Sequence, residues 1–286
     1  MLGQAEFDFL RGLVRERSAI VLEPGKEYLV DSRMIPLLRE TGFPSTVELC
    51  AALRAAPHGD LERRVVEAMT TNETSFFRDV HPFDALQTRL LPELIAARAT
   101  ERKLRFWSNA CSSGQEAYSL GMLLAEHFPH LRDWDVSILA TDISRAMVQR
   151  ASEGVYGQME MNRGLPAALL VRHFQRAGTH WQVKPEVRRL VQAREMNLLT
   201  AWPPLPQFDV IMLRNVLIYF DLETKRSILR RARQALRSDG CLILGSAETT
   251  VMVDDSWARV AGGASMAYRP AADVAGAVPR PAGVGA

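Results

Sequence analysis

Cysteine is scarce in this chain of 286 residues: Cys50, Cys111 and Cys241 stand far apart, with no Cys-x-x-Cys pair and no Cys/His cluster. That pattern gives no zinc site, and an odd count without a framework excludes a disulfide scaffold, so a reducing, cytoplasmic setting is expected. Long apolar runs are missing as well. The longest are strand-length stretches such as Cys241 to Leu244, well short of the roughly 20 apolar residues a spanning helix requires. Met1 to Leu10 include Glu6 and Asp8 and lack a basic n-region followed by an apolar h-region, so neither a signal peptide nor membrane insertion is expected. An excess of charge of one sign is lacking too. With 35 Lys and Arg against 33 Asp and Glu, the formal charge is only +2, and no nucleic-acid partner is expected. Internal repeats and heptads are absent, which favours a monomer.

What is present is ordinary globular material, 47% hydrophobic and 24% charged, long enough for one large domain or two smaller ones. The first seventy residues read as short helices. Phe7, Leu10, Leu13 and Val14 recur at helical spacing. A second helix is expected from about Lys26 past Arg33, ended or kinked at Pro36. Ser45 should cap a third over Thr46 to Ala55, with Glu48 completing a capping box, and a fourth should run from Asp60 to Met69. Thr70 to Asp79 is polar and suits a connecting loop.

Beyond it, strand and helix patterns alternate. His81 to Ala97 is a long amphipathic helix and Leu104 to Ser108 a strand. Gly114 to His127 is a helix, Asp135 to Thr141 a strand, and Ser144 to Ala151 a helix. Phe208 to Leu213 is a strand, Leu222 to Leu236 a helix, and Cys241 to Leu244 a strand. Such alternation predicts an α/β fold: a parallel sheet covered by helices on both faces, with ligands beyond the carboxyl ends of the strands. A small antiparallel insertion is expected over Gly178 to Arg194, from the runs Trp181 to Val183 and Val187 to Val191 about Pro185. Arg226, Arg230, Arg233 and Arg237 form a basic stripe at helical spacing, read as a solvated surface. The domain division that follows is a helical region over 1–70, a linker over 71–80 that contributes to the site, an α/β domain over 81–270 with the β insertion at about 178–194, and a disordered tail over 271–286.

The strongest local signal is the strand, small-residue turn and helix around Asn109 to Glu116. It contains one glycine, Gly114, and is not a Gly-x-Gly-x-x-Gly fingerprint. Glu116 at a helix N-terminus would repel a pyrophosphate but accept a bond from an ammonium group. Asp142, at the tip of the second strand, is placed to accept ribose hydroxyls; equally, it could N-cap the helix that begins near Ser144. Together the two acids favour a nucleoside that carries an amino-acid moiety. Asn197 and Leu198 follow the insertion and suit an adenine edge and face, and Arg214 and Asn215 lie at the end of the next strand.

These motifs, taken with their neighbours, are familiar. Thr70-Thr-Asn-Glu-Thr-Ser-Phe-Phe-Arg78, Ala110-Cys-Ser-Ser-Gly-Gln-Glu-Ala-Tyr-Ser119, Ala140-Thr-Asp-Ile143 and Arg214-Asn-Val-Leu-Ile-Tyr-Phe220 resemble, in order, those of the CheR-type chemotaxis protein-glutamate O-methyltransferases, over about Phe7 to Pro270. The resemblance implies an all-α N-terminal domain joined to a Rossmann-like methyltransferase domain with a small β-subdomain. It implies S-adenosylmethionine as cofactor, held by Asn72, Thr74, Arg78, Glu116, Asp142, Asn197, Leu198, Arg214 and Asn215, with Arg78 and Tyr219 beside the transferred methyl group. It also implies a partner, the cytoplasmic domain of a methyl-accepting chemotaxis receptor, whose glutamates become methyl esters.

The chain departs from the family pattern in places. Gln115 and Ala117 stand where Glu and Pro are frequent, the β insertion is short, and Glu27, Asp31 and Glu40 dilute the second helix's Arg33 and Arg39. A glutamate carboxylate is already ionised at neutral pH and needs no general base, which agrees with the lack of histidine in the motifs. Two other readings stay open: a non-catalytic cofactor-binding scaffold, and a methyltransferase for another acceptor. The Asn-Pro-Pro-Tyr type of motif used on nucleic-acid amines is missing at Asn215.

Overall fold

The computed structural model describes residues 2–260 and 266–271. Four helices come first: α1 (Gln4–Ser18), α2 (Glu27–Thr41), α3 (Thr46–Ala55) and α4 (Asp60–Met69). Phe7, Leu10 and Val14 meet Val30, Met34 and Leu37, Leu49 and Leu53, and Val65 and Met69 in a core of their own. Steps of three and four residues place each set on one face of its helix. Pro36 does not end α2, which runs on to Thr41. It lies on the exposed side, and Ser32, whose carbonyl loses its partner, is exposed as well. Water can therefore serve that carbonyl while Met34 and Leu37 hold the helix to the core. Ser45 caps α3 by accepting the Val47 N–H, but the Glu48 carboxylate meets the Ser45 hydroxyl, so the arrangement is not the reciprocal box.

The helix expected over His81 to Ala97 is present as α5 (His81–Ala85), a π-helical turn at Leu86–Leu90 and α6 (Leu91–Ala97). There follow β1 (Lys103–Asn109), α7 (Gln115–His127), β2 (Asp135–Asp142), α8 (Arg145–Glu153), β3 (Val155–Tyr156), α9 (Gln158–Met161), α10 (Ala167–His173), β4 (Phe174–Ala177), β5 (His180–Val183) and α11 (Pro185–Arg188). The chain ends with β6 (Val191–Glu195), β7 (Phe208–Leu213), α12 (Leu222–Ala235), β8 (Leu236–Leu244), β9 (Trp257–Arg259) and β10 (Ala267–Pro270).

Seven strands form one sheet in the order β6-β2-β1-β7-β8-β10-β9. The first five run parallel, and β10 and β9 close the edge antiparallel. All six residues of β7 are buried, as befits a strand covered on both faces. Apolar layers lie on either side, one around Phe106, Leu120 and Ile138, the other around Trp107, Ile211 and Ile228. The start of the sheet is tied by Asp209, which receives Arg98 Nε at 2.7 Å and the Arg105 N–H at 2.8 Å, while Arg98 also grips Asp239. The chain passes from β1 to β2 on one side and reaches β7 on the other, so the carboxyl ends of β1, β2 and β7 open a crevice at a topological switch point.

The small antiparallel sheet exists, and the run expected over Trp181 to Val183 is one of its strands, β5; the other two, β3 and β4, lie before Gly178, outside the expected Gly178 to Arg194. It is built from β3, β5 and β4, with the β4–β5 hairpin turning at Gly178. Pro185 opens a helical turn, where its fixed φ is at home. Of the second run, expected over Val187 to Val191, Val187 and Arg188 belong to that turn and only Val191 is in a strand, β6, which pairs parallel with β2 at the edge of the large sheet. The basic stripe is also shorter than its spacing suggested: α12 ends at Ala235, and Arg237, on β8, pairs with Glu101 at 2.8 Å. No helix among the described residues is long and apolar enough to cross a membrane. The tail expected to be disordered falls, from residue 272 on, outside the described residues.

Candidate active site at the tips of the central strands

The turn after β1 needs an unusual backbone. Ala110 and Ser112 have positive φ, and Gly114 sits at φ +94°, where a Cβ would come within 2.9 Å of the Ala151 Cβ. Only glycine fits both the conformation and the approach of α8. Glu116 follows in the first turn of α7. Its Oε1 accepts the Ser108 hydroxyl at 2.7 Å, and its Oε2 accepts Arg214 Nη1 at 2.8 Å.

Asp142, at the tip of β2, accepts the Ser112 N–H at 2.8 Å and the Ser144 N–H at 2.9 Å. Ser144, not Asp142, caps α8, by accepting the Met147 N–H. Burial pushes the Asp142 carboxyl above the usual carboxylate range against the pull of those N–H groups, and nearby Glu67 adds to the rise. Glu67 belongs to α4, yet it accepts the Arg145 N–H and the Ser144 hydroxyl at the N-terminus of α8.

The Met196 N–H returns to the Asp142 carbonyl at 2.8 Å and so brings Asn197 and Leu198 beside it. The Asn197 amide donates to the Arg17 carbonyl at 2.6 Å and accepts the Leu199 N–H at 2.9 Å. Arg214, 5% exposed, also donates to the Arg78 carbonyl at 2.7 Å and to Asp79 at 3.0 Å. It braces the loop before α5 against α7. Asn215 takes a left-handed backbone, φ 57°.

The Thr70 to Asp79 loop closes over these tips. The Asn72 carbonyl accepts the Ser112 hydroxyl at 2.8 Å, and the Phe77 N–H donates to Ser119. Phe76 is fully buried against Tyr156 and Phe174 of the small sheet, with ring centroids 5.1 and 5.6 Å away. A Cβ on Gly164, itself at φ +81°, would collide with the Phe76 carbonyl oxygen. Arg163 pairs with Glu73 at 2.8 Å. Arg78 is half-buried and donates to the Glu73 carbonyl at 3.0 Å. Arg33 of α2 reaches the Thr71 hydroxyl at 2.9 Å, and burial draws its guanidinium below the ordinary arginine value. Tyr219, half-buried, ends the short 3-10 turn Leu217–Tyr219, and its carbonyl accepts the Val21 N–H at 3.1 Å.

All ten residues singled out in the sequence, Asn72, Thr74, Arg78, Glu116, Asp142, Asn197, Leu198, Arg214, Asn215 and Tyr219, line one cleft. So do Ser18 and Ile20, which lie just beyond or at the end of α1 and carry no motif. Glu248 was also missed. It accepts the N–H groups of Asn215, Val216, Leu217 and Gly245, and only its place in a short loop past the end of β8 hinted at a role. The donor set suits a nucleoside with an ammonium and hydroxyls. Two carboxylates face the cleft at the strand tips, while the Arg214 cation that a phosphate would need is already engaged by Glu116 and Asp79.

Sequence comparison supports the same fit. The description "CheR methyltransferase, all-alpha domain" matches residues 5–70, and "CheR methyltransferase, SAM binding domain" matches residues 72–265. Chemotaxis protein methyltransferase 1 of Pseudomonas aeruginosa is 42% identical over 270 residues, 93% of this chain and 97% of that protein. Chemotaxis protein methyltransferase Cher2 of Pseudomonas putida is 39% identical over 90% of this chain and 95% of its own length. The corresponding protein of Vibrio parahaemolyticus is 39% identical over 88% and 92%. The fold is therefore that of an S-adenosylmethionine-dependent methyltransferase, with S-adenosylmethionine as its cofactor. Within that class, the chain belongs to the CheR methyltransferase family.

Proposed function

We propose that the chain transfers a methyl group to glutamate side chains in the cytoplasmic domain of a methyl-accepting chemotaxis receptor, leaving glutamate methyl esters and S-adenosylhomocysteine. The name shared by its relatives, chemotaxis protein methyltransferase, supports the pathway. The observation that carries the chemistry is the pairing of Arg78 and Tyr219, both half-buried, on one cleft with two engaged carboxylates. In this reading residues 1–70 form a helical domain, 71–80 a linker that enters the site, and 81–270 the catalytic domain. The enzyme works as a cytoplasmic monomer.

The bound cofactor supplies an electrophilic methyl group on a sulfonium. Glu116, Asp142, Asn72, Thr74, Asn197, Leu198, Arg214 and Asn215 hold it. Asp142 accepts ribose hydroxyls, and Glu116, kept in place by Ser108 and Arg214, presents negative charge to the amino-acid end. Arg78 and Tyr219 orient the incoming carboxylate for in-line attack. No proton has to be removed, because a glutamate is ionised at neutral pH. Opposite charges cancel as the bond forms, so a cleft that excludes water favours the change. Alignment of the nucleophile lowers the barrier further, by at most about 7–11 kcal/mol. A tight bidentate grip would stabilise the ground state instead; Arg78, partly occupied by the Glu73 carbonyl, is suited to a looser hold.

The test is incubation with radiolabelled S-adenosylmethionine and receptor cytoplasmic fragments from the same host, followed by base treatment. Label released as methanol, and lost in Arg78→Ala, is the expected result. Cofactor binding without any label on the receptor would point to another acceptor or to a scaffold.

A further inference from the structure

Behind the cleft wall lies a carboxylate that touches none of the space a ligand would fill. Glu248 is 4% exposed and has no cationic partner among the described residues. Its Oε1 accepts the N–H groups of Val216 at 2.9 Å and Leu217 at 2.7 Å, and its Oε2 those of Asn215 at 2.7 Å and Gly245 at 2.7 Å. A carboxylate offers about four lone-pair positions, so these four donors saturate it. Three of them are consecutive and belong to the stretch where the chain leaves β7, turns through left-handed Asn215 and enters the short 3-10 turn that ends at Tyr219. Consecutive N–H groups of this kind make a concave anion site, commonly filled by a ligand's phosphate. Here the protein fills it with its own side chain. The fourth donor, Gly245, lies at the end of β8, and a Cβ there would stand 2.7 Å from Glu248 Oε2 and 2.9 Å from the Asn215 nitrogen.

We propose that Glu248 is a positioning residue for both substrates: by gripping Asn215, Val216 and Leu217 it sets the cleft wall made by Asn215 and Val216, and it sets the height at which Tyr219 stands. The grip fits the sequence around it. Charge-assisted bonds from four backbone donors hold a loop more firmly than its own turn would, and Gly245 leaves room for the carboxylate to sit between two strand ends. It also fits the ligand. With the nest closed by an internal anion, the wall has no free N–H cluster for a phosphate, and selectivity turns on Glu116 and Asp142.

Two variants of the full chain test this, Glu248→Gln and Gly245→Ala, with S-adenosylhomocysteine as the calorimetric probe. In Glu248→Gln the amide NH2 faces N–H donors, so at least one buried donor loses its partner; in Gly245→Ala the carboxylate is intact but pushed aside. Each is expected to bind the probe at full stoichiometry but about tenfold more weakly, and to transfer methyl groups more slowly at saturating cofactor. Loss of a merely structural brace would instead lower the stoichiometry, with the fraction folded, and leave the Kd of the remainder unchanged. That result, or an unchanged Kd at full stoichiometry in both variants, overturns the proposal. Should Glu248→Gln fail to fold, Gly245→Ala is judged by the same criterion.

Discussion

The two halves of the cleft are built differently. At the tips of β1 and β2, Glu116 and Asp142 each receive two donors from the chain, and the backbone between them is fixed by Gly114 and Ser112. On the other side, Arg78 donates to a single main-chain carbonyl, and the Tyr219 hydroxyl makes no hydrogen bond among the described residues. The first half is preorganised for a small ligand that is always the same. The second leaves its polar ends uncommitted, which on the proposed function would suit a carboxylate delivered by a second macromolecule.

Substitutions can break that comparison. The largest effect is expected from Arg78→Ala, which should lower turnover on the acceptor by about 10²–10³-fold while S-adenosylhomocysteine binding, read by calorimetry, falls by about tenfold or less. Asp142→Ala should act the other way round, weakening S-adenosylhomocysteine by about a hundredfold through the loss of charge-assisted bonds. If both variants lose binding equally, the two halves do not divide the work.

The smallest effect concerns pH. Because the Asp142 carboxyl is raised, its protonation, and with it the loss of cofactor affinity, should begin above the pH where an ordinary aspartate titrates. Glu67→Gln removes a neighbouring negative charge, so the fall should begin at a lower pH in that variant. Calorimetric titrations from pH 7 downward test both statements. The same shift has a sign for stability. Between the ordinary and the raised value the folded chain holds a proton that the unfolded chain has lost, so stability from this group is greatest below the ordinary value and declines as pH rises through the raised one.

Much of the cleft was legible in the sequence because several of its lining residues sit at strand ends, where a change of hydrophobic period marks the junction. Glu116, Asp142, Asn197 and Arg214 were each found in that way. Ser18 and Ile20 were not, since the end of α1 reaches the cleft only through tertiary packing, held by the Asn197 amide on the Arg17 carbonyl. Glu248 was hidden for a related reason: three of its four partners are backbone groups 31 to 33 residues earlier, which leave no mark on composition. The second run of the β insertion, expected over Val187 to Val191, shows the other limit. Short strands such as Val191–Glu195 choose partners by which sheet edge is open, and β2 had one. Pro36 does not end its helix because its cost depends on which side of the helix faces water.

The crossing of Gly164 and Phe76 has a consequence for how such a chain tolerates change. The excursion from Val155 to Val183 is fastened to the loop over the cleft through Gly164, Tyr156 and Phe174 on Phe76 and through Arg163 on Glu73. Beyond those fasteners, the hairpin at Gly178 projects with open space around the glycine. Insertions and deletions at that tip are therefore absorbed locally, and the hairpin can be lengthened, shortened or given new contacts across generations without disturbing the cleft.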